Sequence, residues 1–266
     1  MIKPTCTLVK EAIQIHPVDM RRHSIWTVIV LAVFGAGYAT MSWSERHELR
    51  ALRETTAIWA ATPPVIDGRL DESIWDSSQA TSEFVYSDAR ARAPLACQAR
   101  VVWTDHAVYF AFDVADRDLD APHTTRDAPL YTRDVVEVFI DPDGDMKEYF
   151  EFEVSPRGTV FDARFPSYRE NLERSKQFSA ASFEVAVRVN GTLDSAEEDR
   201  GYIVEMKVDY SDLGLATAPK AGERWRINMF RIDYHGPNDA DYTAWTAPLV
   251  GDFHALDRFG QLHFVR

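Results

Sequence analysis

The sequence predicts an all-β fold: an antiparallel β-sandwich of two sheets, immunoglobulin-like or jelly-roll-like, behind one N-terminal transmembrane helix. From Thr55 onward, short runs rich in Val, Phe, Tyr and Trp alternate apolar with polar residues. Turn signals built from Asp, Asn, Pro and Gly separate these runs, which is typical of sandwiches and barrels. The transmembrane prediction rests on residues 24–43, SIWTVIVLAVFGAGYATMSW, which contain no charged residue.

The N-terminal apolar segment is long enough to cross a bilayer. A helix of this length rises roughly 30 Å. Arg21 and Arg22 precede the segment and favour a cytoplasmic tail over residues 1–23. The alternative is a signal peptide cleaved after Ala39, where GYA supplies the small residues that a signal peptidase reads.

Either interpretation places the rest of the chain outside the cytoplasm. An uncleaved segment would hold it at the membrane, on the periplasmic face or the cell surface, and a cleaved segment would release it as a secreted protein. Residues 44–56 are rich in charge and are predicted to form a short helical spacer. Residues 57–266 are predicted to form the sandwich, with short helices in LDESIWDSS and YSDLGL.

The charge balance excludes one class of partner. The chain has 266 residues and a formal net charge of −13, and the excess of acid lies after the apolar segment. An acidic domain is unsuited to binding a phosphate backbone, so we predict no nucleic-acid partner. Cys6 and Cys97 lie on opposite sides of the predicted membrane segment, which argues against a disulfide or a thiolate metal site.

The stretch VVEVFIDPDGDMKEYFEFEV, residues 135–154, places acids among large apolar residues on two predicted strands. Alternation puts Val136, Val138 and Ile140 on a core face and Glu137 on the other face. If the strands pair through the turn, Glu137 shares its face with one or both of Glu151 and Glu153. Like charges facing each other across strands are unfavourable.

Four interpretations of these acids are open. They form a solvent-facing rim, they pair with an arginine such as Arg164 or Arg231, they bind a cation or ligand, or they are a catalytic pair. The last is weakly supported, because acids on alternating strands are common. The sequence also lacks HExxH, GxSxG, a P-loop and a GxGxxG after a strand, so no enzyme class is indicated.

Clustered carboxylates suggest cation sites at two places. In DPDGD, the acids Asp141, Asp143 and Asp145 alternate around a glycine, as at the start of a calcium loop, but the terminal bidentate glutamate is missing. The alternative is a hairpin turn that uses Asp, Pro and Gly for backbone geometry. Asp116 lies in a second acidic run, DVADRDLD.

Two aromatic residues stand in polar, turn-like contexts. Tyr131 lies in PLYTRD and Phe253 in VGDFHALD. An exposed aromatic on a loop can stack on the apolar face of a sugar ring, and the alternative is a loop residue folded back onto the sandwich.

Six stretches, in this order, resemble one family across residues 57–266. The chain is similar to the family 9 carbohydrate-binding modules, and especially to their uncharacterised branch. The stretches are VIDGRLDESIW (65–75), VVWTDHAVYFAFDVAD (101–116), RDVVEVFIDPDGD (133–145), GYIVEMKVDYSDL (201–213), WRINMFRID (225–233) and FHALDRFGQLHF (253–264).

The resemblance implies a β-sandwich with structural calcium and a sugar site in which two aromatics enclose a terminal sugar. The aromatic positions fall on Tyr131 and Phe253, with His254 adjoining, and the acid within the strand falls on Glu137. Family binders use Trp at both aromatic positions. Where they place an arginine, this chain has Glu153, which reverses a charge in the site.

The sequence therefore predicts a non-catalytic, membrane-tethered, extracytoplasmic domain that binds an oligo- or polysaccharide end. Glu153 or Arg231 is expected to assist Glu137. One alternative is a haem-binding redox subunit, with Met206, Met229 or His254 as axial ligand, although CxxCH is absent. Another is a module that docks a partner enzyme and takes no sugar ligand.

Overall fold

The computed structural model describes residues 41–266. The predicted tail and nearly all of the predicted membrane segment lie outside the described residues. Within residues 41–266, no helix is both long and apolar enough to span a bilayer.

The described chain is mostly β-structure, as predicted. Three short helices are present: α1 (Trp43–Arg50), α2 (Ser73–Ser77) and α3 (Leu172–Ser175). Two 3-10 turns span Leu130–Thr132 and Leu256–Arg258. The strands are β1 (Glu54–Trp59), β2 (Val85–Tyr86), β3 (Cys97–Trp103), β4 (Ala107–Val114), β5 (Val135–Asp141), β6 (Tyr149–Val154), β7 (Val160–Phe165), β8 (Glu184–Asn190), β9 (Gly201–Asp209), β10 (Arg224–Gly236), β11 (Asp239–Ala244) and β12 (Gly260–Val265).

The strands form one continuous sheet, which corrects the prediction of two separate sheets. The order is β7-β6-β5-β10-β12-β1-β3-β4-β9-β8, and β11 adds to β10 and carries β2. The sheet curls so that its two halves pack face to face around a shared core. Strand β1 joins the halves by pairing in parallel with both β12 and β3, whereas the other strand pairs are antiparallel. The fold is therefore sandwich-like with a continuous seam.

The core between the two halves follows the predicted alternation. Val136, Val138 and Ile140 of β5 lie in it, and so do Phe110 of β4 and Met206 of β9. Each large apolar side chain buried there contributes about 1.5–3 kcal/mol relative to an exposed one. The outer face of β5, β6, β7 and β10 carries a second apolar cluster, which includes Phe139, Tyr149, Phe165, Phe230 and Phe259. Strands β5 and β6 are thus buried on both faces.

The predicted spacer is largely helical but is not separate from the sandwich. Helix α1 buries Leu49, and Glu48 forms an ion pair with Arg92 at 2.6 Å. The Arg258 guanidinium donates to the carbonyl oxygen of Arg50 at 2.5 Å. Strand β1 begins at Glu54, inside the predicted spacer.

One predicted helix forms and the other does not. In LDESIWDSS, α2 buries Trp75, whose indole Nε1 donates to Glu205 at 3.0 Å. The segment YSDLGL instead forms consecutive turns. There the Tyr210 hydroxyl is drawn into the sandwich to reach the carbonyl oxygens of Thr104 and Ala107, each at 3.0 Å. Burial of this side chain overrides the local helix signal.

We expect Gly201→Ala to lower the free energy of unfolding by about 3 kcal/mol or more. Gly201 has φ +129°, and a Cβ there would lie 1.9 Å from the carbonyl oxygen of Val114. Urea unfolding of the variant checks this, with Gly251→Ala as the control because nothing lies within 4 Å of its added Cβ. Equal unfolding midpoints for the two variants would show that a side chain at Gly201 meets no clash.

Candidate functional site

Three glutamates meet on the outer face of β5 and β6. The strand register places Glu137 opposite Glu153 and Phe139 opposite Glu151, so the predicted shared face is confirmed. One carboxylate oxygen from each glutamate lies within 4.8 Å of the others. The side chains of Glu137 and Glu153 are 1% exposed and that of Glu151 is 7% exposed. The interpretation as a solvent-facing rim is therefore wrong. We call Glu137, Glu151 and Glu153 the glutamate cluster.

Among residues 41–266, no cation is in direct contact with the glutamate cluster, although Arg169 and Lys176 act on it from the cavity wall. Within residues 41–266, no ion pair includes any of the three carboxylates. Glu137 Oε1 and Glu153 Oε2 are buried and accept no hydrogen bond. Buried charges without partners are costly, so these oxygens are available to a ligand.

Neither arginine considered as a partner reaches the cluster, which corrects that prediction. Arg231 pairs in register with Val136, so it lies on the opposite face of the sheet from Glu137. Arg164 pairs in register with Phe150 and forms an ion pair with Glu148 at 3.1 Å. The sequence-based placement of Arg231 in the ligand site is therefore wrong.

Burial keeps protons on the glutamate cluster near neutral pH. Loss of hydration raises the pKa of Glu151 to about 7, against a weaker opposing effect of Glu153, Arg169 and Lys176. The same burial, reinforced by the neighbouring carboxylates, raises the pKa of Glu137 and of Glu153 well above the usual range for glutamate. The cluster can therefore both donate and accept hydrogen bonds at neutral pH.

A cavity of about 440 Å³ opens above the glutamate cluster. Its apolar lining includes Phe139 and Phe161 from the sheet. Its walls come from several loops and from β11, and they contain Tyr131, Arg169, Leu172, Lys176, Tyr242, Asp252, Phe253 and His254. A concave, largely apolar cavity with a few convergent polar groups is the usual form of a small-ligand site.

Both predicted stacking residues line this cavity. Tyr131 lies in the 3-10 turn before β5 and is 55% exposed. Phe253 is half-buried and stacks on Phe230, with 4.0 Å between ring centroids and 9° between the planes. One face of Phe253 is thus held against the sheet, as in the alternative of a loop residue folded back onto the sandwich. The structure brings Phe253 and Tyr131 to the same cavity.

His254 lines the cavity and is uncharged at neutral pH. Its Nδ1 lies 2.7 Å from the Tyr149 hydroxyl, which also accepts the backbone N–H of Arg169 at 3.2 Å. Burial and the Arg169 charge lower the pKa of His254 to about 4. We assign the Tyr149 proton to the bond with Nδ1, which leaves the His254 Nε2–H as a donor.

Several lining residues were not predicted from the sequence, and four of them carry aromatic or charged side chains that a ligand could contact. Tyr242 is an exposed aromatic on β11, and Asp252 adjoins Phe253. Arg169 and Lys176 come from the polar segment 169–182, whose short helix α3 lies beside the cavity. The sequence signal for the last two was a long polar connection between strands, which often carries function.

The methionines of the haem alternative lie elsewhere. Met206 and Met229 are fully buried in the core between the two halves of the sheet. Neither lines the cavity with His254.

The acidic turn and Asp116 belong to different groups of carboxylates, in keeping with their prediction as two separate places. Oxygens of Asp141, Asp143 and Asp145 lie within 4.8 Å of one another. Most of these oxygens already accept backbone N–H groups of the turn, as when Asp141 accepts from Gly144 and Met146 at 2.9 and 3.0 Å. This arrangement stabilises a hairpin turn and leaves few free ligands for a cation.

Asp116 instead lies with Asp134 and Asp233 inside the sandwich, beside Arg231. Arg231 Nη2 lies 3.0 Å from Asp116 and 2.8 Å from Asp233, although the second contact lacks hydrogen-bond geometry. Burial raises the pKa of Asp134 to about 8 and that of Asp233 to about 6. Three acids around one arginine leave negative charge and open oxygens, so this group fits a calcium ion better than the turn does.

The fold and cavity together define a β-sandwich-like ligand-binding domain. Residues 66–266 match the model of the family described as carbohydrate family 9 binding domain-like, and the chain belongs to that family. Domains of this class bind carbohydrate and are not catalytic.

Comparisons with individual proteins agree with the family match. The chain is 27% identical over 209 residues to the exoglucanase XynX of Acetivibrio thermocellus, covering 78% of this chain and 17% of that enzyme. The chain thus spans less than a fifth of the length of that relative.

Two solved structures share the fold. A putative carbohydrate-binding protein from Bacteroides uniformis has a TM-score of 0.66 at 16% identity, covering 80% of this chain and 100% of that one. A family 9 carbohydrate-binding module from Caldicellulosiruptor kristjanssonii, in complex with cellotriose, has a TM-score of 0.57 at 17% identity, covering 80% and 94%.

Proposed function

We propose that this domain binds the end of an oligo- or polysaccharide in the cavity above the glutamate cluster and performs no catalysis. The observation that carries the proposal is the convergence of Tyr131, Tyr242 and Phe253 on one cavity whose lining also presents buried carboxylates. The cellotriose complex of a module with the same fold supports it.

The proposed recognition combines stacking with hydrogen bonds. Tyr131 exposes an aromatic face, and Phe253 is fixed in place by its contact with Phe230. Sugar rings present apolar C–H faces that suit such aromatic surfaces. The glutamate cluster and the His254 Nε2–H supply acceptors and donors for ring hydroxyls. Affinity should be modest, because few contacts offset the cost of ordering the ligand.

The proposal also includes a bound calcium ion, a location outside the cytoplasm and a partner enzyme. A structural calcium would be held by Asp116, Asp134 and Asp233, away from the sugar. Placement outside the cytoplasm, with a membrane tether, rests on residues 24–43 and on the glycan-degrading enzyme among the relatives. A partner enzyme that degrades the bound glycan is a further expectation of the same comparison.

Calorimetric titration of the full-length chain in detergent with cellotriose and related oligosaccharides tests the function. We expect Tyr131→Ala and Phe253→Ala each to weaken binding at least about fivefold, since each aromatic stacking contact contributes about 1 kcal/mol or more. Trp43→Ala is the matched control, because Trp43 is an exposed aromatic on α1 that does not line the cavity.

Thermal unfolding of each variant separates loss of the site from loss of the fold. Repeating the titration with calcium and with a chelator shows whether the ion acts on the fold or on the sugar. Folded Tyr131→Ala and Phe253→Ala variants that bind as tightly as Trp43→Ala would overturn the proposed site.

A further inference from the structure

We infer that the glycan end bound in this cavity carries a protonated amine, so that the ligand class is an amino sugar whose ammonium group lies over Glu137, Glu151 and Glu153. This inference rests on the proposed function and narrows it to one chemistry. The observations that carry it are the lack of a directly contacting cation among residues 41–266, the unpartnered oxygens, the apolar surroundings and the aromatic walls.

The first argument is charge. Three carboxylates lie together beneath one cavity, and no arginine, lysine or histidine of residues 41–266 forms an ion pair with them. Arg231, the buried arginine of the described residues, is on the other face of the sheet and is held by Asp116 and Asp233. Without a ligand, burial keeps protons on these carboxyl groups of the glutamate cluster. A cation bound beside them would lower their pKa values and hold them ionised, and here the ligand is the source of that cation.

The second argument is the number and placement of hydrogen-bond partners. Glu137 Oε1 and Glu153 Oε2 are buried without a partner, and both residues line the cavity. An ammonium group has three N–H donors and no acceptor. It can therefore donate one hydrogen bond to each carboxylate of the glutamate cluster. A sugar hydroxyl supplies a single donor, so one hydroxyl cannot bridge several carboxylates as one ammonium group can.

The third argument separates an amine from a bare metal ion. Calcium takes six to eight oxygen ligands. The sheet residues that surround the glutamate cluster in the cavity include Phe139, Phe161 and Ile232, which provide no oxygen ligands. An organic cation gains from such neighbours, because its carbon framework packs on them and on Tyr131, and aromatic faces attract cations.

Other charged groups that line the cavity also affect how well it can bind a cation. Arg169 and Lys176 enter from the loop after β7, and Arg169 forms an ion pair with Asp252 at 3.4 Å. His254 is neutral at physiological pH because burial lowers its pKa. Lys176 also lines the cavity and is half-buried. Unlike Arg169, it forms no ion pair with a carboxylate of residues 41–266. Removing it should therefore strengthen binding of a cationic ligand.

The test uses three trisaccharides that share β-1,4-linked rings and differ at C2. These are the glucosamine trisaccharide, its N-acetylated counterpart and cellotriose, titrated into the full-length chain near pH 7, where much of the amine is protonated. We expect the glucosamine trisaccharide to bind at least about tenfold tighter than the other two. Glu153→Gln should reduce this preference at least about fivefold, and Lys176→Met should increase it.

Each outcome decides between specific alternatives. If cellotriose binds as tightly as the amino sugar, the amine preference is wrong and the proposed function stands. If a chelator abolishes binding while thermal unfolding shows an unchanged fold, a metal rather than an amine occupies the glutamate cluster. If the amino sugar binds equally well to Tyr131→Ala and Phe253→Ala but not to Glu153→Gln, the cation site stands and the stacking mechanism fails. If none of the three trisaccharides binds, both proposals are overturned.

Discussion

Replacing Arg231 with methionine is expected to lower the free energy of unfolding by about 3–5 kcal/mol, the usual result of breaking a buried ion pair from one side. The Arg231 side chain is fully buried and contacts Asp116 and Asp233. Without the guanidinium, these two acids and the adjacent Asp134 would keep their negative charge inside the sandwich or would have to take up protons. Chemical denaturation at neutral pH measures the loss.

Arg224→Met is the matched control, since Arg224 is an exposed arginine on the same strand, β10. It should change stability by about 0.5 kcal/mol or less. Adding Asp116→Asn and Asp233→Asn to Arg231→Met should restore part of the loss, because buried ionic groups are often replaceable together. A stability for Arg231→Met equal to that of the control would show that Arg231 is not the internal counter-ion of these acids.

Replacing acids of the glutamate cluster with glutamine is expected to stabilise the unliganded protein at neutral and alkaline pH. Burial raises the pKa of Glu151 from 4.5 to about 7, which corresponds to roughly 3 kcal/mol of unfavourable ionisation at high pH. Glu137→Gln and Glu153→Gln remove a carboxyl group that likewise has to hold a proton in the folded state and releases it on unfolding. Each should raise the free energy of unfolding by about 1–3 kcal/mol near pH 8.

The pH dependence follows from the direction of these pKa shifts. Because the folded state holds protons that the unfolded state releases above pH 4.5, the folded protein binds more protons between about pH 4.5 and the raised pKa values. Stability attributable to the cluster therefore falls as pH rises through that window. Denaturation at pH 5, 7 and 8 should show a decline in the parent protein and a shallower one in Glu153→Gln. A Glu153→Gln variant less stable than the parent at pH 8 would contradict this account.

The same substitutions connect stability with function. Glutamine at Glu137 or Glu153 should give a more stable protein that binds its ligand less well, as expected when a site keeps charges the fold does not need. A residue that costs stability and is nevertheless present at a cavity is a reasonable candidate for binding.

The parts of the site that the sequence predicted are those governed by strand alternation. The period of two placed Glu137, Glu151 and Glu153 on one face of a hairpin, and the turn DPDGD set their register. Burial of these acids could not be read from alternation, because the segments that cover them, including α3 and the turn around Phe253, come from distant parts of the chain. Aromatic neighbours such as Phe139 and Tyr149 on the same face were the available signal.

The errors have a common physical origin. Arg231 was considered a partner of Glu137 because their charges match, yet its face depends on how β10 pairs with β5, a contact between residues far apart in sequence. A shift of one residue in that register would reverse the face. Asp116 was considered a metal ligand within its own acidic run, DVADRDLD, whereas the curl of the sheet brings it to Asp134 and Asp233. The parallel pairing of β1 with β12 and β3 also has no signature in the local sequence.

The position of β1 has a consequence for how the domain is made. Its residues Glu54–Ile58 pair with Gln261–Val265 of β12, so the start and the end of the sandwich are direct neighbours. During synthesis β1 leaves the ribosome long before β12 exists, and it remains without this partner until β12 has been made. Contacts of such high sequence separation slow folding. The domain can therefore close its seam only after β12 has been synthesised, and until then the edge of β1 that pairs with β12 is exposed to aggregation.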